Sequence, residues 1–75
     1  MPTIVRLGNI RIVMFFNDHL PPHFHVMGAG VDAAIRIADL ELMAGYIDPR
    51  TARIVVQWAT QNRERLENLW SAIHG

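Results

Sequence analysis

Ten residues, Asn17-Asp18-His19-Leu20-Pro21-Pro22-His23-Phe24-His25-Val26, divide the chain into two halves. Proline has no amide hydrogen to donate to a strand ladder, so Pro21 and Pro22 predict a loop or bend over residues 17–22. One β-hairpin is predicted before this bend, and a second hairpin and a helix after it. The stretch also contains three of the four histidines of the chain. It is therefore both the division between the hairpins and the first candidate for a functional site.

The first hairpin is predicted from two runs of β-branched and aromatic residues, 3–7 and 10–16, around Gly8-Asn9. Glycine at the first position of a two-residue loop suits a type II′ turn. The resulting apolar pairs are Leu7 with Ile10 and Val5 with Ile12, followed by Thr3 with Met14. On the opposite face Arg6 lies across from Arg11. Like charges in this position are tolerated only in solvent or beside an anion.

The second hairpin is predicted from strands at 23–28 and 31–37, joined by a two-residue loop at Ala29-Gly30. A slip of one residue would turn every side chain to the wrong face, so the apolar pattern selects this loop length. The predicted pairs are His23 with Arg36, Phe24 with Ile35, His25 with Ala34, Val26 with Ala33 and Met27 with Asp32. Phe24 and Val26 then face the core, and both histidines face away from the helix.

Residues 38–47 are predicted to form a short fifth strand or an extended link, because Leu40 and Leu42 are two residues apart. A helix is predicted from Asp48, a good N-cap, and Pro49, which suits the first helical position. Neither glycine nor proline interrupts it before Ile73. Its length of about 39 Å exceeds the roughly 20 Å of the strands. It should therefore overhang the sheet, break, or pack on a second subunit, and this mismatch predicts a homodimer.

The predicted fold class is α+β, in a single domain over residues 1–75. An antiparallel sheet of two β-hairpins, with four strands and an optional short fifth, packs on one long C-terminal helix.

The chain has no cysteine, which excludes disulfides and thiolate metal sites. No apolar run approaches the roughly 20 residues of a membrane span, and the first residues lack the features of a signal peptide. A cytoplasmic protein without a membrane role is expected.

The histidines of the bend form a candidate metal site. His23 and His25 are two apart on a strand and share a face, and His19 can fold back towards them. Asp18 can orient one ring or bind a metal directly. Three histidines near a carboxylate are ligands that zinc prefers, so His19, His23 and His25 are the predicted metal ligands. In the structural alternative, these histidines bond backbone groups in the bend or lie at an oligomer interface.

Other polar residues offer weaker signals. Arg36 is predicted to share the uncovered sheet face with His23 and His25, where basic residues beside aromatic ones can bind nucleic acid. The alternative is a solvated or dimerising face. Asp18 with a neighbouring histidine could act as a metal-free acid–base pair. Asn62 lies near the centre of the apolar helix face and needs a partner. It is predicted to bond the 17–25 loop, a strand end, or its own copy across a dimer axis.

The net charge is zero, with seven basic and seven acidic residues. All seven basic residues are arginine. This balance argues against a dominant non-specific nucleic-acid role, which needs several phosphate-neutralising cations.

His74, next to the C-terminal residue, is predicted to be a frayed helix end whose charge suits the helix dipole.

A family resemblance covers nearly the whole chain. The start Met1-Pro2-Thr3-Ile4, the 17–26 stretch and a long helix closing near Trp70 resemble the small bacterial family called domain of unknown function 4160. Its motif falls on Asn17, Asp18, His19, Pro21, Pro22, His23 and His25. The resemblance implies a small cytoplasmic domain without specifying an activity. It also implies a gene often adjacent to that of another small protein, in an arrangement similar to toxin–antitoxin pairs.

Three functional hypotheses follow. The first is a small interaction or regulatory module, such as an antitoxin-like partner, that forms a homodimer or binds a small partner protein from an adjacent gene. The second is a metal- or histidine-dependent enzyme or binder that acts on nucleic acid through His19, His23 and His25, with a divalent ion such as zinc as the cofactor. The third is a simple nucleic-acid binder.

Overall fold

The computed structural model describes residues 3–74 as an antiparallel sheet with helices packed on one face. The strands are β1 (Thr3–Leu7), β2 (Ile10–Val13), β3 (His23–Gly28), β4 (Val31–Arg36) and β5 (Leu42–Tyr46). The helices are α1 (Pro49–Gln61) and α2 (Arg63–His74). The strands lie in the order β1-β2-β3-β4-β5. The α+β class and the two successive hairpins are confirmed. Met1 and Pro2, which contributed to the family resemblance, lie outside the described residues.

The first hairpin has the predicted register next to its turn. Leu7 pairs with Ile10, and Arg6 lies opposite Arg11, as expected. The prediction that Thr3 pairs with Met14 was wrong, because a bulge between residues 3 and 5 shifts the register and sets Thr3 against Val13. Strand β2 also ends at residue 13 rather than 16.

The second hairpin is paired as the sequence predicted. All five predicted pairs are present, and Gly28 with Val31 closes the two-residue loop. Both loop residues, Ala29 and Gly30, have positive φ, 49° and 78°. This is the backbone that a type I′ turn requires. Strand β4 ends at Arg36, one residue earlier than expected.

The uncertain segment contains a true fifth strand, so the sheet has five strands rather than four. Strand β5 pairs with β4, with a bulge where Ile35 meets Leu42. Leu40 has a φ of 60° and lies in the turn before the strand. Its spacing from Leu42 therefore does not reflect a shared strand face. Gly45 has a φ of 85°, and a Cβ there would collide with the carbonyl of Asp32.

The prediction of one long helix was wrong, because the helix breaks at Asn62. The side-chain amide of Asn62 donates to the Trp58 carbonyl at 2.8 Å. In an uninterrupted helix the backbone N–H of residue 62 would use that carbonyl. Here it donates instead to Ala59 at 3.1 Å, and the backbone turns to φ −124°, ψ 18°. A side chain that competes for a backbone acceptor thus ends α1 without glycine or proline.

The start of α1 is as predicted. The carboxylate of Asp48 accepts a hydrogen bond from the Thr51 amide at 3.0 Å, and Pro49 follows the cap. The break at residue 62 is one of the three outcomes that the length mismatch allowed. Since the helix no longer overhangs as one rod, the main argument for a homodimer is removed, and the homodimer stays a prediction.

The core lies between one sheet face and the two helices. Its fully buried side chains from the sheet side include Ile12, Met14, Phe24, Val26 and Ile37. The helices contribute Val55, Ala59, Leu66 and Trp70. Because the chain turns at residue 62, α2 carries Trp70 to the end of the sheet where β3 begins. Within residues 3–74, neither helix is long and apolar enough to cross a membrane.

Candidate metal centre

The loop between β2 and β3 folds Asp18 back onto the chain. The amide of Phe15 donates to the Asp18 carboxylate at 3.2 Å, and the Asp18 amide donates to the Phe15 carbonyl at 3.3 Å. Side-chain bonds of this kind to nearby backbone are how aspartate stabilises turns. The turn leaves the Asp18 side chain only 12% exposed and directs it at the start of β3.

Asp18, His23 and His25 form one compact group. The Nε2 atom of His25 lies 3.0 and 3.1 Å from the two carboxylate oxygens of Asp18. The Nε2 atom of His23 lies 3.5 Å from one of them. One ligand atom from each residue lies within 4.8 Å of the others. The strand period of two thus places both imidazoles against a single carboxylate.

The geometry of His23 indicates which ring nitrogen donates to the backbone. Its Nδ1 lies 2.8 Å from the Pro21 carbonyl oxygen, which can only accept, so Nδ1 carries the hydrogen and donates. In a neutral ring Nε2 then presents a lone pair to the Asp18 carboxylate, which is also an acceptor. His23 is 7% exposed, so water has little access to separate these atoms. A cation between them, either a second proton on Nε2 or a metal ion, resolves the conflict.

The environment of Asp18 favours its ionised form. Burial acts to raise the pKa of the Asp18 carboxyl, but the hydrogen bonds from His25 and from the Phe15 amide outweigh it. The charges of His25 and His23 act in the same direction. Together they hold the pKa below its ordinary value of 3.8. The carboxylate is therefore available as an anionic ligand throughout the neutral range.

The distances suit a metal ion. In a tetrahedral site with bonds near 2.0–2.2 Å, neighbouring ligand atoms lie about 3.3 Å apart. The separations of 3.0 Å and 3.5 Å from Asp18 to His25 and His23 bracket this value. The bond from His23 Nδ1 to a backbone carbonyl is the outer contact that fixes the tautomer of a metal-ligating histidine. Three protein ligands would leave a coordination position open for water or substrate.

Aromatic rings enclose the group. Phe15 packs edge-on against His25 with centroids 4.7 Å apart, and His23 lies 5.1 Å from His25. Trp70 of α2 lies 5.4 Å from His23, and His74 stacks on Trp70 at 3.6 Å. The prediction that both imidazoles lie away from the helices needs correction for His23, because the break in the helix brings Trp70 against it.

His74 is not a frayed end. Its Nδ1 lies 3.0 Å from the Trp70 carbonyl oxygen and its Nε2 lies 2.9 Å from the Phe15 carbonyl oxygen. Both partners only accept, so each bond requires a hydrogen on the ring nitrogen that makes it. His74 thereby ties the end of α2 to the loop that positions Asp18. The spacing of four between Trp70 and His74 was the sequence signal for this pair.

A cleft of about 440 Å³ opens beside the group. It is lined by Asp18, His19, Leu20, Trp70, Ser71 and His74. Asp18 is common to the cleft and to the cluster. His19 lines the cleft and is exposed, and it lies outside the group of converging ligand atoms found among residues 3–74. The structure thus brings His23 and His25 together with Asp18 instead of His19.

The remaining predicted site residues lie outside the cluster. Asn17 is exposed on the loop. Arg36 lies across from His23 in the sheet, but its Nε is 3.3 Å from Asp39, in a pair that is partly exposed to solvent. Asn62 donates to the Trp58 carbonyl within the helical segment, so this bond goes to none of the three partners predicted for it.

Comparison with known proteins identifies the family. Residues 9–71 match the family described as Domain of unknown function (DUF4160), and the chain belongs to it. The match includes the loop, both ligand histidines and Trp70, and it ends before His74. No curated protein and no solved structure matches the chain.

Proposed function

We propose that this member of the DUF4160 family binds one divalent transition-metal ion through Asp18, His23 and His25 and functions through that ion. The observation that carries the proposal is the orientation of His23. Its Nδ1 lies 2.8 Å from the Pro21 carbonyl oxygen, so in the neutral ring the lone pair on Nε2 faces a carboxylate in a nearly closed space. A divalent cation satisfies both lone pairs and also takes His25 as a third ligand.

Zinc is the ion that best fits the donors. Two imidazoles and one carboxylate are a ligand set of catalytic zinc sites, which retain an open position. The same set holds Fe(II) in non-haem oxygenases, so Fe(II) is the second ion to test. At the open position the metal would polarise a substrate oxygen or lower the pKa of a bound water. The protein would then act as a metal-dependent enzyme, with Asp18 and both histidines as ligands.

Metal titration of the stripped protein tests the proposal. Protein treated with chelator and then desalted is titrated calorimetrically with zinc chloride, and we expect one ion per chain. Asp18→Asn, His23→Ala and His25→Ala should each lower the zinc affinity by more than about 100-fold, which exceeds the usual cost of losing an outer contact. His19→Ala distinguishes this ligand set from the set predicted from the sequence, which included His19. The proposal requires the His19→Ala protein to bind zinc as tightly as the wild type.

Two results would contradict the metal proposal. One is the absence of zinc uptake at micromolar concentration. The other is the ¹⁵N NMR signature of a doubly protonated His23 ring that persists in excess zinc, which would mean that a proton provides the cation beside Asp18. Asp39→Asn is the matched control, since Asp39 is a carboxylate whose partner is Arg36 on the surface. Its zinc affinity should equal that of the wild type.

Protein interaction is the second candidate function, favoured by two exposed apolar side chains on the motif loop. Phe16 and Leu20 are 70% and 77% exposed and flank Asp18 in sequence. We propose the small protein encoded by an adjacent gene as the partner, in an antitoxin-like or regulatory pair in the reducing cytoplasm. Co-purification with that gene product should fail for Phe16→Ser combined with Leu20→Ser. A pair that forms equally well with the double variant would exclude this surface.

A further inference from the structure

We propose that the cleft beside the metal centre binds a small anionic ligand that carries a phosphate or carboxylate group. This inference rests on the proposed function, because it counts the metal ion among the charges of the site. The cleft has about 440 Å³ of space, enough for a small metabolite-sized group. It opens at Asp18, the one residue that the cleft shares with the metal group.

The charges of the metal-loaded cleft are positive. Asp18 is the one carboxylate among the six lining residues, and a divalent ion bound to it would leave a net positive charge. His74 lines the same cleft, and its two ring nitrogens lie 3.0 and 2.9 Å from carbonyl oxygens. Without the metal no divalent charge offsets the Asp18 carboxylate, which then repels an anion. The anion should therefore bind only after the metal.

The polar groups at the wall of the cleft are suited to an anion. His19 and Ser71 both line the cleft, and both are exposed to solvent, so a ligand in the cleft can reach their side chains. An imidazole N–H and a hydroxyl both donate hydrogen bonds to phosphate or carboxylate oxygens. Trp70 and Leu20 supply an apolar wall, which is how ligand sites combine a few polar groups with hydrophobic lining.

The inference is tested with methyl phosphate and acetate as separate probes. Protein saturated with zinc is titrated calorimetrically with each probe, and the metal-stripped protein is titrated in parallel. We expect at least one probe to bind the zinc-loaded protein and neither to bind the stripped protein. The stronger probe shows whether the cleft prefers phosphate or carboxylate. Methylammonium should not bind either form.

Two variants show whether the cleft itself contributes. His19→Ala and Ser71→Ala should each lower the affinity for the anion by about tenfold, the effect of one charge-assisted hydrogen bond, while the zinc affinity stays that of the wild type. Thr60→Ala is the control, because the Thr60 hydroxyl donates to the Val56 carbonyl on the exposed side of α1. Circular dichroism confirms that each variant is folded.

The outcomes separate this inference from the metal proposal. If zinc binds but neither anion does, the anion site is wrong and the metal site stands. If an anion binds the zinc-loaded protein and both cleft variants bind it normally, the anion contacts the metal alone and the cleft assignment is overturned. If the stripped protein binds the anion as tightly as the loaded protein, the metal is not part of the site. If zinc itself does not bind, the proposed function fails, and the anion site, which requires the metal, fails with it.

Discussion

Replacement of Asp18 by asparagine separates the structural role of the carboxylate from its role as a ligand. The amide oxygen of asparagine can still accept from the Phe15 amide, but the charge that faces His25 is lost. A hydrogen bond to a charged group contributes about 1.5–3 kcal/mol and a neutral one about 0.5–1.5 kcal/mol. The metal-free variant should therefore be about 1–2 kcal/mol less stable. For a domain of this size each kcal/mol shifts the Tm by about 4–8 °C.

The response to zinc is the second part of this prediction. At a free zinc concentration 100 times the Kd, the wild type should gain about 2.7 kcal/mol, which raises its Tm by roughly 10–20 °C. Asp18→Asn should lose this gain. The assay is thermal unfolding followed by circular dichroism, with chelator and with zinc. Asp39→Asn, with both side chains of its ion pair partly exposed, should change stability by about 1 kcal/mol or less and keep the zinc response. A full zinc response in Asp18→Asn would refute the carboxylate as a ligand.

Three further predictions concern the elements that support the site. Trp70→Ala removes a side chain that is 7% exposed. The free energy of unfolding, measured with urea, should fall by about 3–5 kcal/mol. A loss below about 1 kcal/mol would contradict the role of Trp70 as the wall of the site. Asn62→Ala frees the Trp58 carbonyl to accept from the backbone amide of residue 62, so the backbone chemical shifts there should become helical. An unchanged helix break would show that packing, and not the Asn62 side chain, imposes the break. Hydrogen bonds from the Thr51 side chain and from the Thr51 amide hold the pKa of Asp48 below 3.8. This cap therefore stabilises α1 fully above that pH, and the stabilisation is lost as the pH falls through the lowered pKa. The NMR chemical shift of the Thr51 amide should follow that loss, and Asp48→Asn should abolish this pH dependence.

The sheet was predictable from sequence because its information is local and periodic. The alternation around Phe24 and Val26 selected one register for the second hairpin and placed His23 and His25 on one face, as the structure has them. At Thr3 the same reasoning failed, because a bulge adds a residue without leaving a mark in the apolar pattern.

The composition of the cluster was less predictable, because it depends on a loop. Asp18 and His19 are neighbours, and no periodicity in a loop indicates which of them faces β3. Two hydrogen bonds to Phe15, one from the Asp18 amide and one to the Asp18 carboxylate, decide it. Trp70 and His74 reach the site because Asn62 ends α1, and a single amide that competes for one carbonyl is not visible in a helical pattern.

The central claim is that one metal ion joins Asp18, His23 and His25. The most direct measurement is X-ray diffraction from crystals grown with zinc, recorded on both sides of the zinc absorption edge. We expect one anomalous peak per chain, bonded at about 2.0–2.2 Å to the Asp18 carboxylate and to the Nε2 atoms of both histidines. A map without a peak at this group, or with the ion bound by His19 in place of Asp18, would contradict the claim.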